Sequence, residues 1–285
     1  MRLDFIVTGA PKSGTTYIDD ALRRSQGIAL PSEKETNYFC SEKINPTYGW
    51  SIKSEQEYYR CFLSSTDSKK PTLDRLYGEV CPSYFYFSDR IINHFRDRDA
   101  PIFIMLRDPL RRAISHYFMD RDRFGNTLPP PKIALTDPSA TPYGAWGTSL
   151  NSFIDLSDYQ SALLSFQQAS LNFHILRFES GLEKNVRNIA GVLDTQVHLP
   201  DRPSNEQRRL RSPLISHLLR SRWLKSSYAM LGERTRKIVK GALYQPVDLE
   251  RYRSEANECY AELSGSKLWK ELITSYAQII EKYTE

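Results

Sequence analysis

Short apolar runs alternate with helical periods along the first two thirds of the chain. "LDFIVTG" (3–9) is rich in β-branched residues and ends in glycine, and "TTYIDDALRRS" behind it carries its apolar residues at helical spacing. The pairing recurs in "PIFIMLRD" (101–108) followed by "PLRRAISHYFMDRDRF", and in "FHILRFE" (173–179) followed by "GLEKNVRNIAGVLD". "YGEVC" (77–81) before "SDRIINHFRDR" reads as a fourth strand and "GIAL" (27–30) as a fifth. Apolar strands that each lead into a helix predict a parallel sheet, and the fold class is therefore α/β. Residues 125–148, "GNTLPPPKIALTDPSATPYGAWGT", hold five prolines and three glycines without a sustained period, which predicts a loop long enough to carry function. From about Pro213 onward the pattern is helical, with "DLERYRSEANECYAEL" and "KLWKELITSYAQIIEKY" as amphipathic segments, so 202–285 is expected to be a mainly helical extension. No repeat, low-complexity tract or linker interrupts the chain, and one domain over 1–285 is expected.

Composition narrows the class. With 285 residues, 40% hydrophobic and 26% charged, the chain can bury a substantial core. No apolar run reaches the roughly 20 residues of a membrane helix. "MRLDFIVTGAP" passes from Met1 straight into a strand with no signal sequence, so a cytoplasmic location and no membrane span are expected. Cys40, Cys61, Cys81 and Cys259 lie far apart without a C-x-x-C pair, and the five histidines are equally scattered, so buried thiols and no bound metal are expected. The net charge of +5 hides an asymmetry: between Arg202 and Lys240 eleven Lys or Arg face two acids, Glu206 and Glu233. That segment is either a solvated face or a surface that something anionic passes. No recognition motif accompanies it, so nucleic acid is not an expected partner.

The candidate chemistry begins at "GAPKSGTTYIDDAL" (9–22). A nucleotide-triphosphate loop reads G-x-x-x-x-G-K-[ST]; Gly9 and Gly14 have its spacing and Thr16 its hydroxyl, but Thr15 stands at the lysine position. What remains is a glycine-bounded turn between a buried strand and a helix, which aims backbone N–H groups and a helix N-terminus at an anion. Thr15 and Thr16 add hydroxyls, and Lys12 projects from the turn itself. A second candidate lies in "LRDPLRRAISHYF": Arg107 at a strand's C-terminal end points to the crevice where open α/β sheets bind ligands, while Arg112 and Ser115, three apart, are expected on one helical face.

"APKSGTT" resembles the 5′-phosphosulfate loop of sulfotransferases that use 3′-phosphoadenosine 5′-phosphosulfate (PAPS), and Arg107 with Ser115 eight residues on resembles the grip that family places on the 3′-phosphate. "PSEKETNYF" (31–39) is similar to the Lys-Glu-x-x-x-Phe segment of heparan-type glycan sulfotransferases and their bacterial relatives. "YGW" (48–50), "GEVCPSYF" (78–85) and "ILRFESG" (175–181) add further likenesses, so the resemblance covers about 3–194. Val80 replaces a lysine of the animal enzymes, and the family's Lys-Gly-Arg loop over the adenosine is not found.

The resemblance implies a P-loop-like three-layer fold and sulfuryl transfer from PAPS, leaving PAP, to an acceptor hydroxyl, with a carbohydrate or glycoconjugate as the expected partner. It implies a donor site of Pro11, Lys12, Ser13, Gly14, Thr15, Thr16, Arg107, Arg112 and Ser115, with Glu35 as general base and 125–148 on the acceptor side. Physically, a cation must meet charge that builds on the bridging oxygen, and Lys12 suits that; the acceptor hydroxyl needs a base, which Glu35 supplies. His116 is the competing base, as in the small-molecule sulfotransferases. Glu79, Tyr84, His116 and Trp146 are candidate acceptor contacts, and Tyr17, Trp50, Tyr86 and Tyr143 are further aromatic rings that could stack on a sugar. A P-loop kinase or GTPase is the alternative reading; it would want lysine at position 15.

Overall fold

The computed structural model describes residues 2–45, 51–64, 75–124, 128–140, 144–200, 208–210 and 244–284. Five strands form one parallel sheet: β1 (Phe5–Gly9), β2 (Ile28–Ala29), β3 (Leu76–Val80), β4 (Ile102–Leu106) and β5 (Phe173–Arg177), in the order β2-β3-β1-β4-β5. Each of the five predicted strands is present, the weakest as the two-residue edge.

The period-2 alternation sorts each strand's side chains onto two buried faces. Ile6, Ile102, Ile104 and Leu106 point to one face, where they meet Ile91 and Phe95 of α3 (Asp89–Phe95) and Leu163 and Phe166 of α6 (Tyr159–Gln168). Phe5, Val7, Phe103 and Met105 point to the other, against Ile18 and Leu22 of α1 (Thr15–Arg24) and Val186 and Ile189 of α7 (Leu182–Val192). At about 1.5–3 kcal/mol for each fully buried large apolar side chain, this double burial is the main force holding the sheet between its helices. Gly78 is required where β3 crosses Phe5, because a Cβ there would lie 2.2 Å from the phenylalanine ring.

A third apolar cluster fastens α4 (Pro109–Phe124) to the C-terminal helices α8 (Leu249–Leu263) and α9 (Lys267–Tyr283) through Leu110, Ile114, Phe118, Leu263 and Trp269. The two C-terminal amphipathic segments are thus the helices expected. α2 (Glu55–Ser64) precedes the sheet's third strand. The proline-rich stretch after α4 is not wholly irregular: α5 (Pro131–Ala134) tucks Ala134 into this cluster, and Leu135 accepts a 2.9 Å hydrogen bond from Trp269 Nε1. Of the basic segment, Arg208–Leu210 form a strand, β6, antiparallel to β7 (Tyr244–Pro246), where sequence patterning had suggested none; the rest of 202–240 lies outside the described residues. Among the described residues no helix is long and apolar enough to cross a membrane.

Candidate active site

In the order β2-β3-β1-β4-β5 the chain leaves β1 toward one edge of the sheet and leaves β4 toward the other. The crevice beyond the carboxyl ends of β1 and β4 is therefore the switch point at which open α/β sheets hold ligands. The turn after β1 and Arg107 after β4 both lie there.

The turn's shape follows from two glycines. Gly9 has φ +124, and a Cβ on it would sit 2.2 Å from the Met105 carbonyl of the neighbouring strand. Gly14 has φ +86, and a Cβ there would come within 2.4 Å of Leu182 on α7. Between them Lys12 itself adopts φ +74, costly for a residue with a side chain. Left-handed residues inside such a turn point successive N–H groups to one side, as in an anion-binding nest. α1 then begins at Thr15 with no side-chain cap. The Oγ of Ser13 and the Nε of Arg107 are buried without a hydrogen-bond partner. Surplus donors at a helix start are what a phosphate group would satisfy, so the residues fit a phosphate-bearing ligand.

A cavity of about 580 Å³ opens at this point. One wall is Pro11, Lys12, Gly14, Thr15 and Thr16; another is Ser115, His116, Met119 and Asp120 of α4; Glu35 and Asn37 come from the loop after β2, and Trp146 from the far end of the 125–148 stretch. Lys12 Nζ lies 3.3 Å from Met119 Sδ. Trp146, at φ +53, packs edge-on against Phe87 with ring centroids 5.5 Å apart.

Arg107 is at the cavity's margin. Its guanidinium donates to the Lys12 carbonyl at 3.0 Å and stacks over Phe178, a lining residue, at 4.4 Å. Burial lowers its pKa, opposed by Glu179.

Other expected residues are elsewhere. Arg112 does not line the cavity beside Ser115: it is fully buried and donates to Ser157 Oγ, Ser152 O and Phe153 O at 2.9, 2.9 and 2.7 Å. It stitches α4 to the segment after Trp146 because a buried guanidinium must find acceptors, and backbone carbonyls are the ones in reach. Its Nη1 also lies 3.3 Å from His116 Nδ1. Since an arginine only donates, Nδ1 is the acceptor and neutral His116 carries its proton on Nε2, which faces Asp120 Oδ2 at 3.7 Å.

Glu79 and Tyr84 are likewise buried beneath the cavity rather than in its wall. Glu79 accepts from Thr36 N, Thr36 Oγ1, Tyr58 OH and Tyr84 OH at 3.0, 2.5, 2.7 and 3.1 Å. Burial raises its pKa against these bonds, which act to lower it. Its work is to hold Thr36, and with it the two left-handed residues Glu35 (φ +55) and Asn37 (φ +51), in place. Asn37 Oδ1 accepts from Ser83 Oγ at 2.5 Å, pinning the other side of the loop. Tyr17 is buried in the core, and Trp50 and Tyr143 lie outside the described residues.

Asn37, Met119, Asp120 and Phe178 are site residues that patterning did not flag; only the spacing of Met119 and Asp120, one turn beyond Ser115 and His116, could have suggested them. Lys34 belongs to the Lys-Glu segment, where the sequence gives it no role; its Nζ reaches Thr16 Oγ1 at 2.7 Å and Glu35 Oε1 at 2.9 Å. Among the described residues no group of three or more His, Cys, Asp or Glu could hold a metal ion.

No protein-family model matches the chain. Over 115 residues it is 34% identical to the membrane-associated sulfotransferase kil1 of Dictyostelium discoideum, a match that spans 40% of this chain and 22% of that protein. The likeness therefore covers about a fifth of the relative's length. The structure is similar to that of a sulfotransferase from Alicyclobacillus acidocaldarius, with a TM-score of 0.55 and 21% identity over 77% of this chain and 90% of the other. The chain thus resembles sulfotransferases in sequence over part of its length, and it has their P-loop-like α/β fold.

Proposed function

We propose that this chain is a PAPS-dependent sulfotransferase that acts on the hydroxyl of a carbohydrate or glycoconjugate and works as one unit over its whole length. The observation that carries the reading is the cavity itself, which is lined both by a phosphate-type turn with a lysine at its centre and by a loop carboxylate, Glu35. A kinase or GTPase reading has no counterpart for Lys12 in the turn and no lysine at Thr15.

The donor, when bound, supplies a sulfuryl group on a phosphate leaving group. The N–H groups of the turn, with Thr15 and Thr16, bind the 5′-phosphate, and Arg107 with Ser115 binds the 3′-phosphate. Lys12 neutralises the charge that collects on the bridging oxygen as the S–O bond to phosphate breaks, an interaction stronger in the transition state than before it. Glu35 takes the proton of the acceptor hydroxyl as that oxygen bonds to sulfur. His116 is less suited to act as base, because Arg112 occupies its Nδ1, and Nε2 can accept a proton only if the ring first takes the tautomer that sets an N–H against the guanidinium. Trp146 offers its ring to the acceptor.

Calorimetric titration with PAP and ADP tests the donor assignment. Tighter binding of PAP supports it; equal affinity would remove the sulfotransferase reading.

A further inference from the structure

Lys34 bridges the two halves of the cavity. Its ammonium donates to Thr16 Oγ1 at 2.7 Å, in the first turn of α1, and pairs with Glu35 Oε1 at 2.9 Å. Thr16, from α1, and Glu35, from the loop after β2, both line the cavity. The two side chains are 26% and 43% exposed, and a pair this accessible adds little to folding stability. Its consequence is orientation.

An ammonium group can only donate, so Thr16 Oγ1 is the acceptor in this contact and the hydroxyl's own proton is turned away from Lys34. That leaves Thr16 free to donate to an anion at the helix N-terminus, at the end of a polarised chain running Lys34 N–H to Thr16 O–H to anion. On the other side, the backbone at Glu35 is already fixed from below by the bonds of Thr36 to Glu79. Only the torsions of the Glu35 side chain remain, and the contact with Lys34 restricts them. We propose that Lys34 is a positioning residue that couples the donor side to the acceptor base: it sets the Thr16 hydroxyl as a donor toward the 5′-phosphate and holds the Glu35 carboxylate for the acceptor proton. The inference rests on the sulfotransferase reading.

Two double-mutant cycles test it, one read by PAP affinity in calorimetry and one by kcat. Lys34→Met should weaken PAP binding about three- to tenfold in the otherwise native chain and cause little further loss when Thr16 is already valine. It should lower kcat about tenfold in the native chain and little further when Glu35 is already glutamine. Lys34→Arg, which keeps a charged donor, should restore most of both. Losses within twofold in the native background overturn the proposal, and so do losses of equal size in the Thr16→Val and Glu35→Gln backgrounds, since Lys34 would then act through neither partner. If Lys34→Met does not fold, as judged by circular dichroism, Lys34→Gln replaces it in the same cycles. A native chain that fails to bind PAP would refute the sulfotransferase reading instead, so the two failures are distinguishable.

Discussion

Arg107 donates a hydrogen bond to the carbonyl of Lys12 across 3.0 Å, joining residues 95 positions apart in the chain. The contact ties the end of β4 to the middle of the glycine-bounded turn after β1, and stacking on Phe178 holds the guanidinium plane. One side chain thus steadies the left-handed lysine, while its own Nε is buried without a hydrogen-bond partner.

Arg107→Lys keeps the charge and loses the planar fork. It should weaken PAP about tenfold, change ADP much less, and so erase most of the discrimination between the two. Calorimetry with both nucleotides checks this, and an unchanged ratio of affinities would mean that Arg107 does not address the 3′-phosphate.

Lys12→Ala should lower kcat about 10²- to 10³-fold while PAP affinity changes only a few-fold, because its charge is needed mainly where the leaving oxygen becomes negative. Steady-state rates and PAP titration on the same preparation separate the two effects. A change confined to KM would contradict the assignment.

Glu35 and Asp120 both line the cavity, one from the loop after β2 and one from α4, and Lys12 is the single Lys or Arg among the described lining residues. Like charges on facing surfaces oppose binding. A neutral glycan should therefore be sulfated with a higher kcat/KM than a polyanionic one of equal length, and the preference should shrink in Asp120→Asn. A faster reaction with the polyanion in rate assays at low salt would reject this view of the cavity's charge.

Much of the fold was legible because β1, β4 and β5 are apolar runs that each lead into a helix; the two-residue edge strand β2 was legible only from the short apolar run "GIAL". The turn after β1 was legible for a related reason: Gly9 and Gly14 are demanded by backbone geometry and leave a spacing in the sequence. Arg112 is absent from the cavity lining, and the sequence could not show it, because helical spacing tells which residues share a side, not which of them reaches the cavity; here the segment 152–157 covers it. Tyr84 and Glu79 look like site residues in a motif, yet they form the floor that holds Thr36. Lys34 was invisible as a site residue because its contact with Thr16, 18 residues earlier and on α1, is made only by the fold, and Asp120 offered no signal beyond its place one turn after His116 on α4.

Acid should destabilise the protein through His94. Burial first, and Arg98 second, lower its pKa from 6.5 to about 4. Nε2 accepts from Leu3 N at 3.4 Å and faces Arg98 at 3.3 Å, so the folded ring is neutral. Between pH 4 and 6.5 the unfolded chain holds a proton that the folded chain lacks, and stability therefore rises with pH across that window and is lost as pH falls through it. His94→Gln should flatten the urea midpoint against pH in this range relative to the native chain. Identical slopes in the two proteins would clear His94 of the effect.

The decisive comparison is between the two candidate bases, since both line the cavity. Glu35 is held by a loop that Glu79 and Asn37 lock from below, and its carboxylate can accept a proton without any change of partner on the backbone. His116 has Arg112 against one nitrogen and Asp120 near the other, an arrangement that fixes the ring more than it readies it to take a proton. Glu35→Gln should therefore retain PAP binding and lose about 10²- to 10⁴-fold in kcat, the range for removing a general base. His116→Ala should cost about tenfold or less, through the packing of α4 against Phe153, which meets the imidazole edge-on with centroids 5.6 Å apart. If His116→Ala abolishes turnover with PAP affinity intact while Glu35→Gln stays near the native rate, the base is the histidine, and the Arg112 contact must open before the acceptor hydroxyl can be activated.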